Sequence, residues 1–108
     1  MKINLDKSRL NQIKNRIIST IAPKKIVLFG SRATGKYTKD SDYDLIVVWD
    51  NDLNQRESNF RIRRLFPGRD FSLDVFVYRT EEEKAYKNIK GTMLYNAFKN
   101  GRLLYEQK

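Results

Sequence analysis

Apolar residues recur along the chain with two different periods, and each period predicts one kind of secondary structure. From Asp6 to Ile21 they fall three or four positions apart, which predicts an amphipathic helix that ends at Ala22-Pro23. The same spacing, with turn residues at the ends, predicts helices over about 53–66, 80–90 and 92–100. These helices alternate with shorter apolar runs, so the pattern favours an α/β chain.

The shorter runs predict strands over 24–29, 42–49 and 71–78, and the segment 102–106 is either a final edge strand or an extended tail. The second strand is apolar over most of its length, which is typical of a strand buried on both faces. In the third strand Leu73, Val75 and Val77 share one face, whereas Asp74 lies on the other. Residues 30–35 form a turn that opens a short helix.

Length and composition limit the kind of protein this is. With 108 residues, the chain is predicted to form a single domain, residues 1–108. It has no apolar run long enough to cross a bilayer, and its first residues lack an apolar signal region. We therefore expect a cytoplasmic protein.

The missing residue types exclude several classes of chemistry. The chain contains no Cys and no His, which removes disulfides, thiolate and imidazole metal sites, and catalysis by a histidine base. Any reaction must use carboxylates, hydroxyls, Lys, Arg and a bound metal. The net charge of +9 favours anionic partners such as nucleic acid, nucleotides or an acidic protein, although basic residues also simply solvate protein surfaces.

Three aspartates are the candidate metal ligands. Asp42 and Asp44 stand two residues apart on a predicted strand and therefore point to the same side. Neighbouring carboxylates repel each other and raise one another's pKa unless a cation lies between them, and Mg²⁺ is a cation that prefers oxygen ligands. Asp74 is a lone carboxylate in an apolar strand, which is costly unless it is satisfied.

These residues occur in a characteristic order: a strand, Gly30-Ser31, ten residues, Asp42-Tyr43-Asp44 leading into a second strand, and Asp74 on a third. This order resembles the DNA polymerase β nucleotidyltransferase superfamily, and specifically the minimal nucleotidyltransferases. The resemblance covers nearly the whole chain. It implies an α/β (α+β) fold of the polymerase β palm type, in which helices pack on one face of a small mixed sheet.

The resemblance also implies a reaction and a role for each residue. A hydroxyl would attack the α-phosphorus of ATP with the help of two Mg²⁺ ions. Asp42 and Asp44 would bind both ions, and Asp74 would complete the shell of the catalytic ion and favour deprotonation of the hydroxyl. Gly30 would let the backbone approach the triphosphate. Ser31 would donate to a phosphate oxygen, and Arg32 is either a phosphate ligand or a solvated turn residue.

We expect the acceptor site to come from a partner or an oligomer, because a chain of this length has no room for the second domain of larger relatives. Minimal nucleotidyltransferases of this length resemble antitoxins that transfer AMP to a tyrosine of a HEPN-family ribonuclease toxin. Two alternatives stay open. The protein masks its toxin by binding alone, or it modifies RNA or a small molecule such as an aminoglycoside, with the basic segment 61–64 as the RNA platform rather than a solvated face. A homo- or hetero-oligomer is also open.

Overall fold

A computed structural model describes residues 5–108, with side chains described from Lys7 onward. This part of the chain contains five helices and four strands. In chain order they are α1 (Leu5–Ile21), β1 (Lys25–Phe29), α2 (Ser31–Thr34), β2 (Tyr43–Val48), α3 (Gln55–Arg63), β3 (Leu73–Tyr78), α4 (Thr80–Tyr86), α5 (Met93–Asn100) and β4 (Arg102–Glu106).

The four strands form one mixed sheet in the order β3-β2-β1-β4. β1 is antiparallel to both β2 and β4, whereas β2 and β3 are parallel. A parallel pair needs a crossover connection, which α3 supplies. The register places Phe29 opposite Asp44 and Asp44 opposite Asp74. The end of β1 and the starts of β2 and β3 therefore meet at one end of the sheet.

One face of the sheet is covered by α1 and α3. Ile13 and Ile17 of α1 and Ile62 of α3 are almost completely buried there. They pack against the strand residues that alternate toward this face, namely Ile26, Leu28, Leu45, Val47, Leu73, Val75 and Val77. The alternation in β3 confirms the prediction that Leu73, Val75 and Val77 share a face.

The opposite face carries a second, smaller core. Leu94 and Ala97 of α5 pack there against Val27, Ile46 and Val48. The α/β fold class with a small mixed sheet is confirmed, and α1 and α3 pack on one face as predicted. The helix on the other face, α5, was not part of the prediction. Both faces of β2 are apolar, so a helix is needed on each side to remove them from water.

The predicted elements agree with the structure in kind and differ in their bounds. The helices predicted over 53–66 and 80–90 are shorter in the structure, where α3 covers Gln55–Arg63 and α4 covers Thr80–Tyr86. The segment Arg102–Glu106 is an edge strand rather than a tail, because it pairs with β1. None of the helices in the described part of the chain is both long and apolar enough for a membrane span.

Gly101, between α5 and β4, is expected to tolerate no side chain. A Cβ there would overlap the carbonyl oxygen of Ala97 and stand 2.5 Å from that of Leu28. Both are backbone atoms, so we expect Gly101→Ala to lower the free energy of unfolding by about 1–3 kcal/mol. Urea unfolding measures this loss. The neighbouring exposed substitution Asn100→Ala should cost less than about 0.5 kcal/mol, and equal stabilities of the two variants would refute the steric account.

Candidate active site

The structure brings the three predicted aspartates together at one end of the sheet. Asp44 and Asp74 face each other across the parallel pair β2–β3, and Asp42 precedes Asp44 by two residues on the same side. One carboxylate oxygen from each lies within 4.8 Å of those of the other two. Asp42 is exposed, whereas Asp44 and Asp74 are half-buried. Carboxylate oxygens this close together could bind a divalent cation.

The cluster is electrostatically unfavourable without a cation. Partial burial, followed by the neighbouring charges of Asp74 and Asp42, raises the pKa of Asp44 from 3.8 to about 6. The donor set consists only of carboxylate oxygens, which suits a hard ion such as Mg²⁺ and does not suit a soft one. The residues present therefore fit the divalent metal that the family resemblance implies.

The raised pKa of Asp44 gives a pH-dependent prediction. The ionised form of Asp44 is disfavoured in the folded state, which lowers the free energy of unfolding. This loss of stability is absent below pH 3.8, grows up to about pH 6 and is complete above it. Asp44→Asn removes the charge and should stabilise the metal-free protein at about pH 8 but not at about pH 4. Because the group is partly exposed, we expect at most about 1 kcal/mol, or a rise in Tm of about 4–8 °C.

Thermal unfolding of the wild type and of Asp44→Asn, at both pH values and with or without Mg²⁺, checks this prediction. Mg²⁺ should raise the Tm of the wild type at about pH 8 and leave that of the variant nearly unchanged. The reason is that an ion stabilises a folded protein only if the folded protein binds it. A variant less stable than the wild type at both pH values would contradict the proposed repulsion.

Gly30 lies directly beside this cluster, at the junction of β1 and α2. Gly30 has φ +75°, a conformation that L side chains rarely adopt, and it precedes the first residue of α2, Ser31. A Cβ at Gly30 would overlap Oδ2 of Asp44 and stand 3.2 Å from its Cγ. Because it has no Cβ, Gly30 lets the backbone approach the Asp44 carboxylate more closely than any other residue could.

Arg32 is placed differently from its neighbours. It is only 5% exposed, so the alternative of a solvated turn residue is wrong. Its guanidinium donates to the carbonyl oxygens of Ser41 (3.0 Å) and Lys39 (3.2 Å). The guanidinium carbon also lies 4.2 Å from the ring centroid of Tyr43 and 4.7 Å from that of Tyr37. These contacts fasten the loop that leads into Asp42, and a role for Arg32 in phosphate binding stays a prediction.

Arg63 is a site residue that the sequence did not single out individually. It is the last residue of α3, and its Nη2 lies 3.7 Å from Oδ1 of Asp74. With Asp42 and Arg69 it lines an open cleft of about 420 Å³ beside the carboxylates. The sequence signal that could have identified Arg63 is its place at the basic C-terminal end of the helix that connects β2 to β3. Such a crossover helix returns the chain to the starts of these strands, where the aspartates lie.

A comparison with known families identifies the family to which the chain belongs. The model of the family described as "Polymerase beta, Nucleotidyltransferase" matches residues 11–108. The chain belongs to this nucleotidyltransferase family. The match includes Gly30, Ser31 and all three aspartates, so the predicted resemblance is confirmed.

Individual relatives agree with the family match. A protein of Methanocaldococcus jannaschii named "Putative protein adenylyltransferase" is 31% identical over 99 residues, which cover 92% of this chain and 93% of that protein. The crystal structure of a "putative nucleotidyltransferase from Sulfolobus solfataricus" superposes with a TM-score of 0.61. The superposition covers 99% of this chain and 91% of that one at 19% identity, so it shows a shared fold.

Proposed function

We propose that this nucleotidyltransferase transfers AMP from ATP to a hydroxyl group and releases pyrophosphate, using Asp42, Asp44 and Asp74 as its metal-binding carboxylates. The observation that carries the proposal is the convergence of these three carboxylates, from two parallel strands, beside the Gly30 backbone. The family supplies a nucleotide substrate, and the oxygen-only donor set fits Mg²⁺. When bound, Mg²⁺ supplies the positive charge that stabilises the attacking and leaving oxygens.

The residues of the chain divide the remaining work. Asp42 and Asp44 would hold two Mg²⁺ ions, and Asp74 would complete the set around the ion nearer the acceptor. Asp74 also lies at the side of the cluster that opens into the cleft, where a hydroxyl would enter and transfer its proton to the Asp74 carboxylate. On the other side, Gly30, whose backbone lies against Asp44, would let the chain approach the triphosphate. Ser31 would donate a hydrogen bond from its hydroxyl to a phosphate oxygen.

Arg32 would contribute indirectly to this arrangement. Its hydrogen bonds to Lys39 and Ser41 fix the end of the loop from which Asp42 emerges. A fixed carboxylate binds a metal with less loss of conformational entropy than a mobile one does. Arg32 is therefore a positioning residue in this proposal, with direct phosphate binding as the alternative.

The proposed acceptor is a tyrosine of a HEPN-family ribonuclease toxin, so that the protein acts as an antitoxin in the cytoplasm. Support for a protein acceptor comes from the relative named as a protein adenylyltransferase. The sequence resemblance supplies the toxin partner. An antitoxin that only masks its toxin is the alternative, and the converged carboxylates favour catalysis over masking.

Co-expression with the protein encoded by the neighbouring gene tests this proposal. AMP on a tyrosine of that neighbour, detected by mass spectrometry and absent when the antitoxin carries Asp42→Ala, is the expected result. The same variant should still form the complex and yet no longer protect cells. Protection by Asp42→Ala at wild-type level would show that the protein acts by masking.

A further inference from the structure

A groove next to the proposed active site has a surface suited to a particular kind of acceptor. It lies between α1 and residues 66–71, the segment that leads into β3, and its volume is about 780 Å³. Arg9 and Arg16 line it from α1, and Phe66, Arg69 and Phe71 line it from the opposite side. Arginines and aromatic rings thus line a surface that has no part in the roles described above.

The groove lies on the α1 face of the sheet and adjoins, at the starts of β2 and β3, the cleft that contains Asp42 and Asp74. Arg69 and Phe71 line both spaces. In the sheet order β3-β2-β1, this cleft lies on the β3 side of Asp44, whereas Gly30 lies on the β1 side. The attacking and leaving oxygens of phosphoryl transfer are roughly in line. If the triphosphate lies by Gly30, the acceptor hydroxyl enters from the side where the groove opens.

The arginines of the groove are held by contacts that leave much of their charge available. The Arg16 guanidinium donates to the carbonyl oxygen of Leu65 (3.0 Å), and that of Arg69 donates to the carbonyl oxygen of Phe66 (3.4 Å). In the described part of the chain, no carboxylate lies within ion-pair distance of Arg16 or Arg69. Arg9 differs, because it pairs with Asp70 at 3.2 Å.

The aromatic rings of the groove do not offer a stacking surface. Arg9 lies over Phe71, with its guanidinium carbon 5.0 Å from the ring centroid, and Arg16 lies over Phe66 at 6.0 Å. Phe66 is itself 9% exposed. Recognition of single-stranded RNA uses open aromatic faces on which bases stack, and here arginines cover these faces. A polypeptide needs only an apolar floor and partners for its charges, and the groove provides both.

We propose that this groove binds an acidic, extended segment of the acceptor protein and so presents a nearby hydroxyl to Asp74. The inference rests on the proposed function, because the bound segment belongs to the protein that is modified. Carboxylates of the segment pair with Arg16 and Arg69, while its aliphatic groups contact the half-buried Phe71 and the methylene stems of Arg9 and Arg16. Many proteins carry hydroxyl groups that could accept AMP, and charge complementarity with the groove would select one among them.

Three synthetic peptides of equal length test the proposal, each with one central tyrosine flanked by glutamate, by serine or by lysine. Fluorescence anisotropy without nucleotide measures binding, and mass spectrometry after incubation with ATP and Mg²⁺ measures AMP transfer. We expect the glutamate peptide to bind about tenfold more tightly than the serine peptide and the lysine peptide to bind least, a size that two or three surface ion pairs give.

Matched charge reversals separate the groove from the general positive charge of the protein. Arg16→Glu and Arg69→Glu should each weaken binding of the glutamate peptide about fivefold. Lys90→Glu makes the same charge change at an exposed position in the turn before α5, at the opposite end of the sheet, and should change binding less than about twofold. Equal losses in all three variants would overturn the proposal, because binding would then follow net charge alone.

The two measurements also distinguish this inference from the proposed function. Groove-dependent binding without AMP transfer to any peptide would support the acceptor surface and count against tyrosine as the acceptor. AMP transfer without preference among the peptides would support the activity and overturn the groove. Suppose that an oligouridine binds more tightly than the glutamate peptide and that Arg16→Glu abolishes this binding. The groove would then be an RNA surface, and the proposal would equally be overturned.

Discussion

Asp44→Asn is expected to abolish nucleotide transfer while leaving the protein folded. Asp44 is the middle carboxylate of the cluster, between Asp42 in the chain and Asp74 on the neighbouring strand. Asparagine keeps the size of the side chain but removes the charge that binds Mg²⁺. Removing one member of an interdependent catalytic group costs on the order of ten-thousandfold in rate, and we expect a loss of that size here.

The control for this variant is Asp52→Asn, which removes an exposed carboxylate from the turn after β2. It should retain the wild-type rate. Because Asp44→Asn relieves repulsion, its Tm above pH 6 should equal or exceed that of the metal-free wild type, which excludes unfolding as the cause of inactivity. Transfer by Asp44→Asn within tenfold of the wild-type rate would mean that the cluster is not the catalytic site.

Gly30→Ala should have the second largest effect, because it fills the space between the backbone and the cluster. The new methyl group would overlap Oδ2 of Asp44, and the φ of +75° would be strained for alanine. Displacement of one carboxylate by about 1 Å can cost about a hundredfold in rate, so we expect a loss of this order in transfer. The strain should also lower the free energy of unfolding by about 1–2 kcal/mol.

Gly91→Ala is the matched control, since Gly91 has φ +89° but would place its Cβ in open space. Both variants should lose similar stability in urea unfolding, and only Gly30→Ala should lose activity. Steady-state transfer assays at saturating ATP make the comparison. If the two variants keep equal activity, the close approach of Gly30 to Asp44 has no catalytic importance.

The sequence predicted the elements of the fold well because their signals are local. The 3.6-residue period of α1 and the alternation in β3 follow directly from which side chains are buried. The carboxylate cluster could likewise be predicted from the sequence, because two aspartates on one strand share a side and a third polar residue in an apolar strand needs a partner. That residues 1–108 form one domain stays a prediction.

Other features depend on tertiary contacts that no local pattern carries. The short helix α5 lies on the opposite face from α1 because β2 is apolar on both faces, and the sequence does not assign a helix to a particular face. Arg32 is buried by Tyr37, Tyr43 and a loop that folds back over it. Arg63 comes near Asp74 only through the crossover geometry of α3.

The most direct test of the central claim is a pair of labelling reactions with the purified protein, Mg²⁺ and the copurified neighbouring protein. One reaction contains ATP labelled at the α-phosphate, and the other contains ATP labelled at the γ-phosphate. Transfer of AMP predicts that only the α-label enters protein and that Asp44→Asn abolishes its entry. Entry of the γ-label instead, or entry of the α-label that survives in Asp44→Asn, would contradict nucleotidyl transfer by the three aspartates.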